Sequence, residues 1–387
     1  MSIKSCKLIT KQYDPGKFIQ QGTKRYRAFQ PAIINRSWRD LDPSLLAKLG
    51  TADRYIGRLD AFSDLVNVDL YVKMHVTKEA TLSAKIEGTQ TSVQEALLDR
   101  QAVAGERRND WEEVNNYVAA INQALVDLEK LPLSSRLIRR THRTLMQGVR
   151  GASKGPGVFR TSQNWIGGSG PTNATFVPPP PGEVNDLMSD LEKFIHNERT
   201  DLPELLKAAL LHYQFETIHP FQDGNGRLGR LLIPLYLIDR KILRRPVLYL
   251  SAFFEGHRQA YYDHLTQVRT EGKLTEWFHF FLDGIIATAR DGVETFNATL
   301  QLEKHLTEQL QRENNRSSNI HLFLSLLFAE PIVSASTVAK QLAVTPATAY
   351  KLIADFARRG WLREVPVSGR GKRYAFAPYL DLFSEAR

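Results

Sequence analysis

Residues 219–230 read His-Pro-Phe-Gln-Asp-Gly-Asn-Gly-Arg-Leu-Gly-Arg, and this stretch decides the fold around it. It places an imidazole, a carboxylate, an amide and two guanidinium groups around flexible glycines within twelve positions. Charged groups of this kind are rarely buried as core material. They match what a triphosphate and its metal need: backbone N–H groups, forked cations, one carboxylate and one proton acceptor. The stretch therefore predicts an anion-binding site.

Helical patterns flank this stretch on both sides. Apolar residues between Leu205 and Tyr213 recur at helical spacing and run towards His219, and the apolar segment 231–238 follows it. The pattern predicts a helix, a Gly-rich turn and a second helix, whose N-terminal N–H groups would form an anion nest. Arg227 and Arg230 are three positions apart, so both can face one phosphate chain. The alternative is a structural turn with surface cations.

Two other nucleotide-binding patterns do not fit the chain. Gly224-x-Gly226-x-x-Gly229 formally matches the dinucleotide-binding fingerprint. That fingerprint needs a strand before it and an acidic residue about 20 positions later. Here a helical pattern precedes it, and no acidic residue follows at that distance. A phosphate-binding P-loop needs Gly-Lys-Ser/Thr, which the stretch lacks.

The same stretch resembles the Fic motif, H-x-F-x-[DE]-G-N-G-R-x-x-R, and matches it at every defined position. The resemblance extends from about residue 30 to about residue 290. Residues 161–181, with Asn-Trp-Ile-Gly-Gly at 164–168 and a proline run, look like the flap of that family. A trailing winged helix also occurs in some members. The resemblance therefore implies a helical Fic core with an N-terminal extension.

The resemblance implies transfer of AMP from ATP to a Ser, Thr or Tyr hydroxyl of protein targets, including the chain itself. His219 would deprotonate the attacking hydroxyl, and Asp223 would hold Mg²⁺ or Mn²⁺. A family branch that phosphorylates carries Lys in place of Gly226, so glycine favours AMP transfer. The residues implied to bind ATP are Gly224, Asn225, Gly226, Arg227, Leu228, Gly229, Arg230, Ile166, Gly167, Tyr261 and Tyr262.

A second motif lies at Ser83-Ala-Lys-Ile-Glu87-Gly88. Ser83 and Glu87 are four positions apart and share a helix face. The segment resembles the family's inhibitory motif, [ST]-x-x-x-E-[GN]. The resemblance implies that Glu87 pairs with Arg230 and removes the partner of the γ-phosphate. A Ser-xxx-Glu pattern also occurs by chance on solvated helices.

The flap and a tyrosine pair complete the candidate site. The flap's β-prone runs, 163–166 and 175–177, predict a hairpin whose edge accepts an extended target peptide. The alternative is a plain surface connection. The resemblance implies that a tyrosine at 261–262 leans on adenosine, and core packing is the alternative. Adjacent residues of a helix point about 100° apart, so we expect at most one of the two to line the pocket.

The chain is predicted to be mainly α-helical, with three parts. Residues 1–110 form an N-terminal helical region carrying the inhibitory helix, and residues 111–312 form the core. Residues 319–387, with three helices and a hairpin, form a winged helix-turn-helix. Residues 1–30 are predicted to be irregular, and Asn314–Ser318 to be a linker. Seven Lys/Arg against two acidic residues in 345–373 leave both DNA and a protein as partners of the winged helix.

Composition excludes several classes of protein. The 387 residues are 42% hydrophobic, and no apolar run seen near the motif is long enough to span a membrane. No secretory signal is visible in the first residues, and Cys6 is the only cysteine, which favours the cytoplasm. The net charge of +9 fits either a solvated surface or anionic partners.

A homodimer is left open. Rival functions are a nucleotide-sensing DNA-binding regulator and transfer of another group such as UMP.

Overall fold

The structure is a computed structural model, and it describes residues 13–38, 42–64, 68–148, 151, 153–313, 318–368 and 371–383. Helices dominate it, and the few strands are short. This confirms the prediction of a mainly α-helical protein with a C-terminal winged helix. The segment predicted to be a linker lies outside the described residues, except for Ser318, which begins a helix.

Among the described residues, eleven α-helices precede the C-terminal unit. Their bounds are α1 Ser44–Ala61, α2 Val68–Ile86, α3 Val93–Ala96, α4 Arg108–Leu128, α5 Ser135–Leu145, α6 Val184–His196, α7 Glu204–Ile218, α8 Asn225–Asp239, α9 Ser251–Gly256, α10 Arg258–Glu271 and α11 Leu274–Arg312. The pair α7 and α8 is central, because nearly all of their residues are buried. Among the described helices, none combines the length and the apolar character that a bilayer crossing needs.

The N-terminal segment differs from its prediction. Strands β1 (Gly16–Gln20) and β2 (Arg27–Pro31) pair antiparallel, where an irregular segment was expected. The segment is polar, so its pattern does not mark strands. Its order comes from a long-range contact: Phe29 is fully buried, and its N–H donates to the carbonyl of Val177 at 2.9 Å. The hairpin therefore extends the flap.

The flap is less regular than a two-stranded hairpin. A single bridge joins Ile166 and Phe176, with N–H···O distances of 2.9 and 3.1 Å. Gly167 and Gly168 beyond it have φ of 71° and 68°. These left-handed conformations suit glycine, and a methyl group at either position would overlap the returning chain. Two consecutive left-handed residues end the ladder after one pair.

The C-terminal unit has the predicted order of helices and hairpin, with two additions, a short strand after its first helix and a short helix after the hairpin. Its elements are α12 Ser318–Ala329, β3 Ile332–Val333, α13 Ala335–Gln341, α14 Pro346–Arg358, β4 Leu362–Val365, β5 Arg373–Phe376 and α15 Ala377–Leu380. The short β3 adds a third strand, giving the order β3-β5-β4. Thr345 caps α14, as its hydroxyl accepts from the N–H of Thr348. The wing touches the segment after α2: the Ser368 N–H donates to the Ala102 carbonyl at 2.8 Å.

Candidate active site

The Gly-rich turn connects α7 to α8 as the sequence predicts. Helix α7 ends at Ile218, and His219 adopts a left-handed conformation (φ 50°). Gly224 (φ 75°) precedes the first residue of α8, Asn225. The side chain of Asn225 closes the turn, because its Oδ1 accepts from the Phe221 N–H at 2.9 Å and its Nδ2 donates to the Phe221 carbonyl at 2.8 Å. The Asn225 side chain is therefore occupied within the turn and holds its shape.

A buried histidine, His142, packs against this turn and hydrogen-bonds to its backbone. The His142 ring stacks on Phe221 with 3.7 Å between centroids. Its Nδ1 accepts from the Gly157 N–H at 2.8 Å, so Nε2 carries the proton and donates to the Asp223 carbonyl at 2.9 Å. Burial lowers the pKa of His142 to about 4, which keeps the ring neutral and this tautomer in place.

His219 presents one ring nitrogen to the adjoining cavity. Its Nδ1 lies 3.3 Å from the carbonyl oxygen of Glu216, so Nδ1 carries the proton and Nε2 remains an acceptor. Burial, with smaller contributions from the charges of Arg160 and Arg269, lowers the pKa of His219 to about 4. The imidazole is therefore neutral at pH 7 and able to accept a proton.

The flap is tied to the His219 backbone. Arg160 Nε donates to the His219 carbonyl at 2.8 Å, and Asn164 Nδ2 donates to the same oxygen at 3.1 Å. Arg160 is buried and also donates to the carbonyls of Pro179 and Ile218. These bonds fix the distance between the flap and the candidate base.

The first arginine of the motif is held by a residue that the sequence analysis did not identify. Arg227 donates to Glu113 Oε2 on α4 at 2.9 Å, and both side chains are buried. A buried ion pair costs desolvation energy, so such a pair is stable only when both partners are present. Glu113 therefore keeps Arg227 extended along the cavity wall.

We expect Glu113→Ala to lower the free energy of unfolding by about 3–5 kcal/mol, because a buried guanidinium loses its carboxylate. Urea denaturation of the purified variant would measure this. Glu112→Ala is the matched control, since Glu112 pairs at 2.6 Å with the largely exposed Arg100 and should cost under about 1 kcal/mol. Equal losses in the two variants would contradict the expected importance of the buried pair.

The second arginine contacts the segment that resembles an inhibitory motif. Arg230 Nε donates to Ser83 Oγ at 2.9 Å, and its Nη2 donates to the Ser83 carbonyl at 2.8 Å and to Glu87 Oε1 at 2.7 Å. A methyl group at Gly226 would overlap Glu87 Oε1. The carboxylate thus lies directly over the first turn of α8, where an anion is favoured. Burial opposes ionisation of Glu87, but Arg230 outweighs it and lowers the pKa of Glu87.

A cavity of about 770 Å³ gathers most of the candidate residues. The predicted residues that line it are Ile166, Gly167, His219, Asp223, Gly224, Asn225, Gly226, Arg227, Arg230, Tyr261, Tyr262, Glu87 and Gly88. Ser83 is buried behind Arg230 instead. The cavity therefore joins the Gly-rich turn, the flap and the end of α2 in one site.

Three expectations about the lining need correction. Leu228 and Gly229 do not line the cavity, because the helix turns Leu228 into the core and Gly229 onto α7. Both tyrosines do line it, although at most one was expected. Tyr261 is buried with its hydroxyl 2.9 Å from His212 Nε2, and Tyr262 is 37% exposed. The cavity therefore extends over two adjacent positions of α10.

The sequence analysis missed several lining residues: Glu113, Lys154, Trp165, Glu216 and Gln222. Glu113 carried no signal, since it is 114 positions from Arg227. Glu216 did carry one, because it precedes His219 by three positions and its side chain falls near the same face of the helix. A carboxylate at that spacing from a candidate base is a signal that could have been used.

Asp223 is suited to a divalent cation shared with phosphate. Its side chain is 36% exposed at the cavity, where Lys154 Nζ lies 3.2 Å from Oδ2. Within the described residues no three His, Cys, Asp or Glu side chains gather into a metal site. Mg²⁺ is often bound by one or two carboxylates with water and substrate phosphates. Asp223 fits such a single-carboxylate site.

Family models match most of these elements. The model "Fic/DOC family" matches residues 132–237, and "Fic/DOC family N-terminal" matches residues 46–126. The model "HTH DNA binding domain" matches residues 322–376. The first match contains the Gly-rich turn and the flap, and the second contains α2 with Glu87. The chain thus resembles Fic proteins over most of its helical part and carries a match to a helix-turn-helix unit near its C-terminal end.

Relatives and solved structures agree with these matches. The chain is 32% identical over 243 residues to "Protein adenylyltransferase Fic" of Aedes aegypti, covering 60% of this chain and 45% of the relative. The Culex quinquefasciatus protein of the same name is 31% identical with the same coverage. This chain therefore spans less than half the length of these relatives. These matches, with the family models, show that the chain is similar to Fic/DOC proteins over residues 46–126 and 132–237.

Structural similarity supports the fold. A Fic family protein from Desulfovibrio desulfuricans G20 superposes with a TM-score of 0.56 at 20% identity, covering 88% of this chain and 98% of that one. Fic-1 from C. elegans, residues 134–508, gives 0.52 at 20% identity, covering 66% and 74%. At this identity the superpositions carry information about the fold alone.

Proposed function

We propose that the protein transfers AMP from ATP to a hydroxyl group of a protein, releasing pyrophosphate. The observation that carries this proposal is the position of His219 Nε2, which faces the same cavity as Arg227, Arg230 and the start of α8. A proton acceptor beside a phosphate-type site is the arrangement that attack on phosphorus requires. The names of the similar insect proteins support the same activity.

Each residue has a distinct task in this reaction. The N–H groups at the start of α8 and the guanidinium of Arg227 bind phosphate oxygens and hold the α-phosphorus towards His219. His219 Nε2 takes the hydroxyl proton as the oxygen attacks, and pyrophosphate leaves from the opposite side. A magnesium ion held by Asp223 would supply charge neutralisation on the phosphates.

The flap would present the target. Because Ile166 faces Phe176 in a hydrogen-bonded pair, the backbone groups of Trp165 point to the other side. An extended peptide can bind such groups by strand addition, which sets the register of its hydroxyl relative to His219. The anchoring of the flap through Arg160 and Asn164 would keep this geometry constant.

Glu87 would restrain the enzyme. Its carboxylate lies over the first turn of α8 and neutralises Arg230, so it competes with the γ-phosphate for both. More than a third of the Glu87 side chain is open to solvent at the cavity. The residue can therefore leave the site without unfolding the buried part of α2.

The proposed activity is tested with ATP labelled at either the α- or the γ-phosphate. We expect the α-label to enter protein and the γ-label to stay in solution. Chelation of divalent metal should abolish incorporation, and excess unlabelled UTP should compete less than unlabelled ATP. Incorporation of the γ-label would indicate phosphorylation instead, and stronger competition by UTP would favour transfer of UMP.

A nucleotide-sensing DNA-binding regulator is the rival from another class, and the helix-turn-helix match favours it. Helix α14 exposes Tyr350 and Lys351 on one face. A sensor needs no proton acceptor, so it gives no reason for the buried neutral imidazole of His219. Binding of ATP and of duplex DNA without label in any protein would favour this rival.

A further inference from the structure

The carboxyl group of Glu216 has no part in the proposed function so far. It lies in the last turn of α7, is 6% exposed and lines the cavity. Its Oε1 is buried against Gly229 and has no hydrogen-bond partner among the described residues. A buried carboxyl oxygen without a partner costs stability, so its presence calls for an explanation.

The geometry relates this group to the candidate base. Glu216 Oε2 is 3.9 Å from Nδ1 of His219, and the Glu216 carbonyl is 3.3 Å from the same nitrogen. The carboxyl group therefore lies on the Nδ1 side of the imidazole. An opposite charge within about 4–6 Å favours the charged form of a titrating group.

We propose that Glu216 is a positioning residue that, when ionised, keeps the proton of His219 on Nδ1 and strengthens Nε2 as the base. This inference rests on the proposed function. In the step itself, Nε2 takes the proton of the target hydroxyl, and the ring becomes an imidazolium with protons on both nitrogens. The hydroxyl oxygen bonds to the α-phosphorus, and the bond from that phosphorus to the bridging oxygen breaks. Glu216 stabilises the imidazolium until it returns its proton to solvent.

Charged groups from four other segments act on this pair. Arg230 approaches Glu216 from α8, Glu87 from the end of α2 and Arg269 from α10. Burial raises the pKa of Glu216 to about 7; Arg230 and Arg269 oppose this shift, and Glu87 adds to it. Arg160, Arg269 and Glu87 also act on His219. Glu216 therefore changes charge near neutral pH, and loss of Glu87 would favour its ionised form.

The test compares Glu216→Gln with its parent in the Glu87→Gly background. Single-turnover labelling from α-labelled ATP is followed between pH 5.5 and 8.5. We expect the parent rate to rise with pH as Glu216 ionises. The glutamine variant should lose this rise and be about tenfold slower than the parent above pH 7. This factor corresponds to a difference of about one unit in the basicity of His219 with and without an ionised neighbour. The Kd for ATP should change less than about twofold. An unchanged rate and pH profile would overturn the proposal.

A second readout does not depend on labelling. In ¹⁵N NMR of histidine, the ring nitrogens of His219 in the parent should shift near neutral pH as Glu216 ionises, and this shift should be absent in Glu216→Gln; its absence in the parent, or its persistence in the glutamine variant, would overturn the proposal. If labelling fails in every variant, the proposed function is wrong, and the NMR result still decides the role of Glu216. Glu204→Gln is the matched control on α7, since Glu204 interacts with Lys207 and Arg240 and should change neither readout.

If the Glu216→Gln variant fails to fold, two further measurements test the proposal. Glu216→Asp keeps the charge, so we expect the pH-dependent rise to persist with a reduced rate. In the Glu87→Gly protein itself, the His219 resonances should show a second transition as Glu216 titrates. Loss of the rise in the aspartate variant, or a single His219 transition, would contradict the proposal.

Discussion

Glu87→Gly is expected to raise the initial rate of label incorporation from α-labelled ATP by about 10- to 150-fold. A hydrogen bond to a charged group contributes about 1.5–3 kcal/mol, which corresponds to this range. Under the proposed function, a γ-phosphate in the wild type must displace Glu87 from Arg230 and from the start of α8. Glycine removes the competing carboxylate and leaves the hydrogen bonds from Arg230 to Ser83 in place.

Two further variants define the cause of this increase. Glu87→Gln keeps the size and loses the charge, so it should fall between wild type and glycine. Glu95→Gln is the matched control, because Glu95 pairs with Arg107 at 2.7 Å outside the cavity and should leave the rate unchanged. Calorimetry should show tighter ATP binding for Glu87→Gly. Equal rates in wild type and Glu87→Gly would contradict a restraining role for Glu87.

The parts of the structure that follow from local sequence were predictable. Helices α7 and α8 and the left-handed Gly224 between them follow from a helical stripe that meets a Gly-rich, charged turn. Such signals lie within a few residues of the feature they predict. The contact between Glu87 and Arg230 spans 143 positions, and only the resemblance to a family indicated it.

The parts that depend on distant contacts were not predictable. Strand β2 is ordered by Phe29, which bonds to a flap residue 148 positions away, and Glu113 reaches Arg227 from another helix. Glu216 was missed for a different reason. Nearly every residue of α7 is buried, so its apolar periodicity does not separate the core face from the face that lines the cavity.

Replacement of His219 is expected to lower the labelling rate by about 10²–10⁴-fold, the usual contribution of a general base. The backbone conformation at position 219 determines which substitution removes the base without straining the chain. His219 has φ of 50°, a left-handed conformation that strains alanine and that asparagine tolerates. His219→Asn therefore removes the base without the backbone penalty of His219→Ala, and both should lose label to the same extent.

His219→Asn is expected to affect transfer of AMP much more than binding of ATP. The contacts expected to hold the triphosphate come from Arg227, Arg230 and the N–H groups of α8, so in the Glu87→Gly background His219→Asn should keep its Kd for ATP within about threefold. Calorimetry measures the binding, and α-label incorporation measures the chemistry. His305→Ala, an exposed histidine on α11, is the control and should change neither. Undiminished labelling by His219→Asn would exclude His219 as the base, because no other imidazole lines the described part of the cavity.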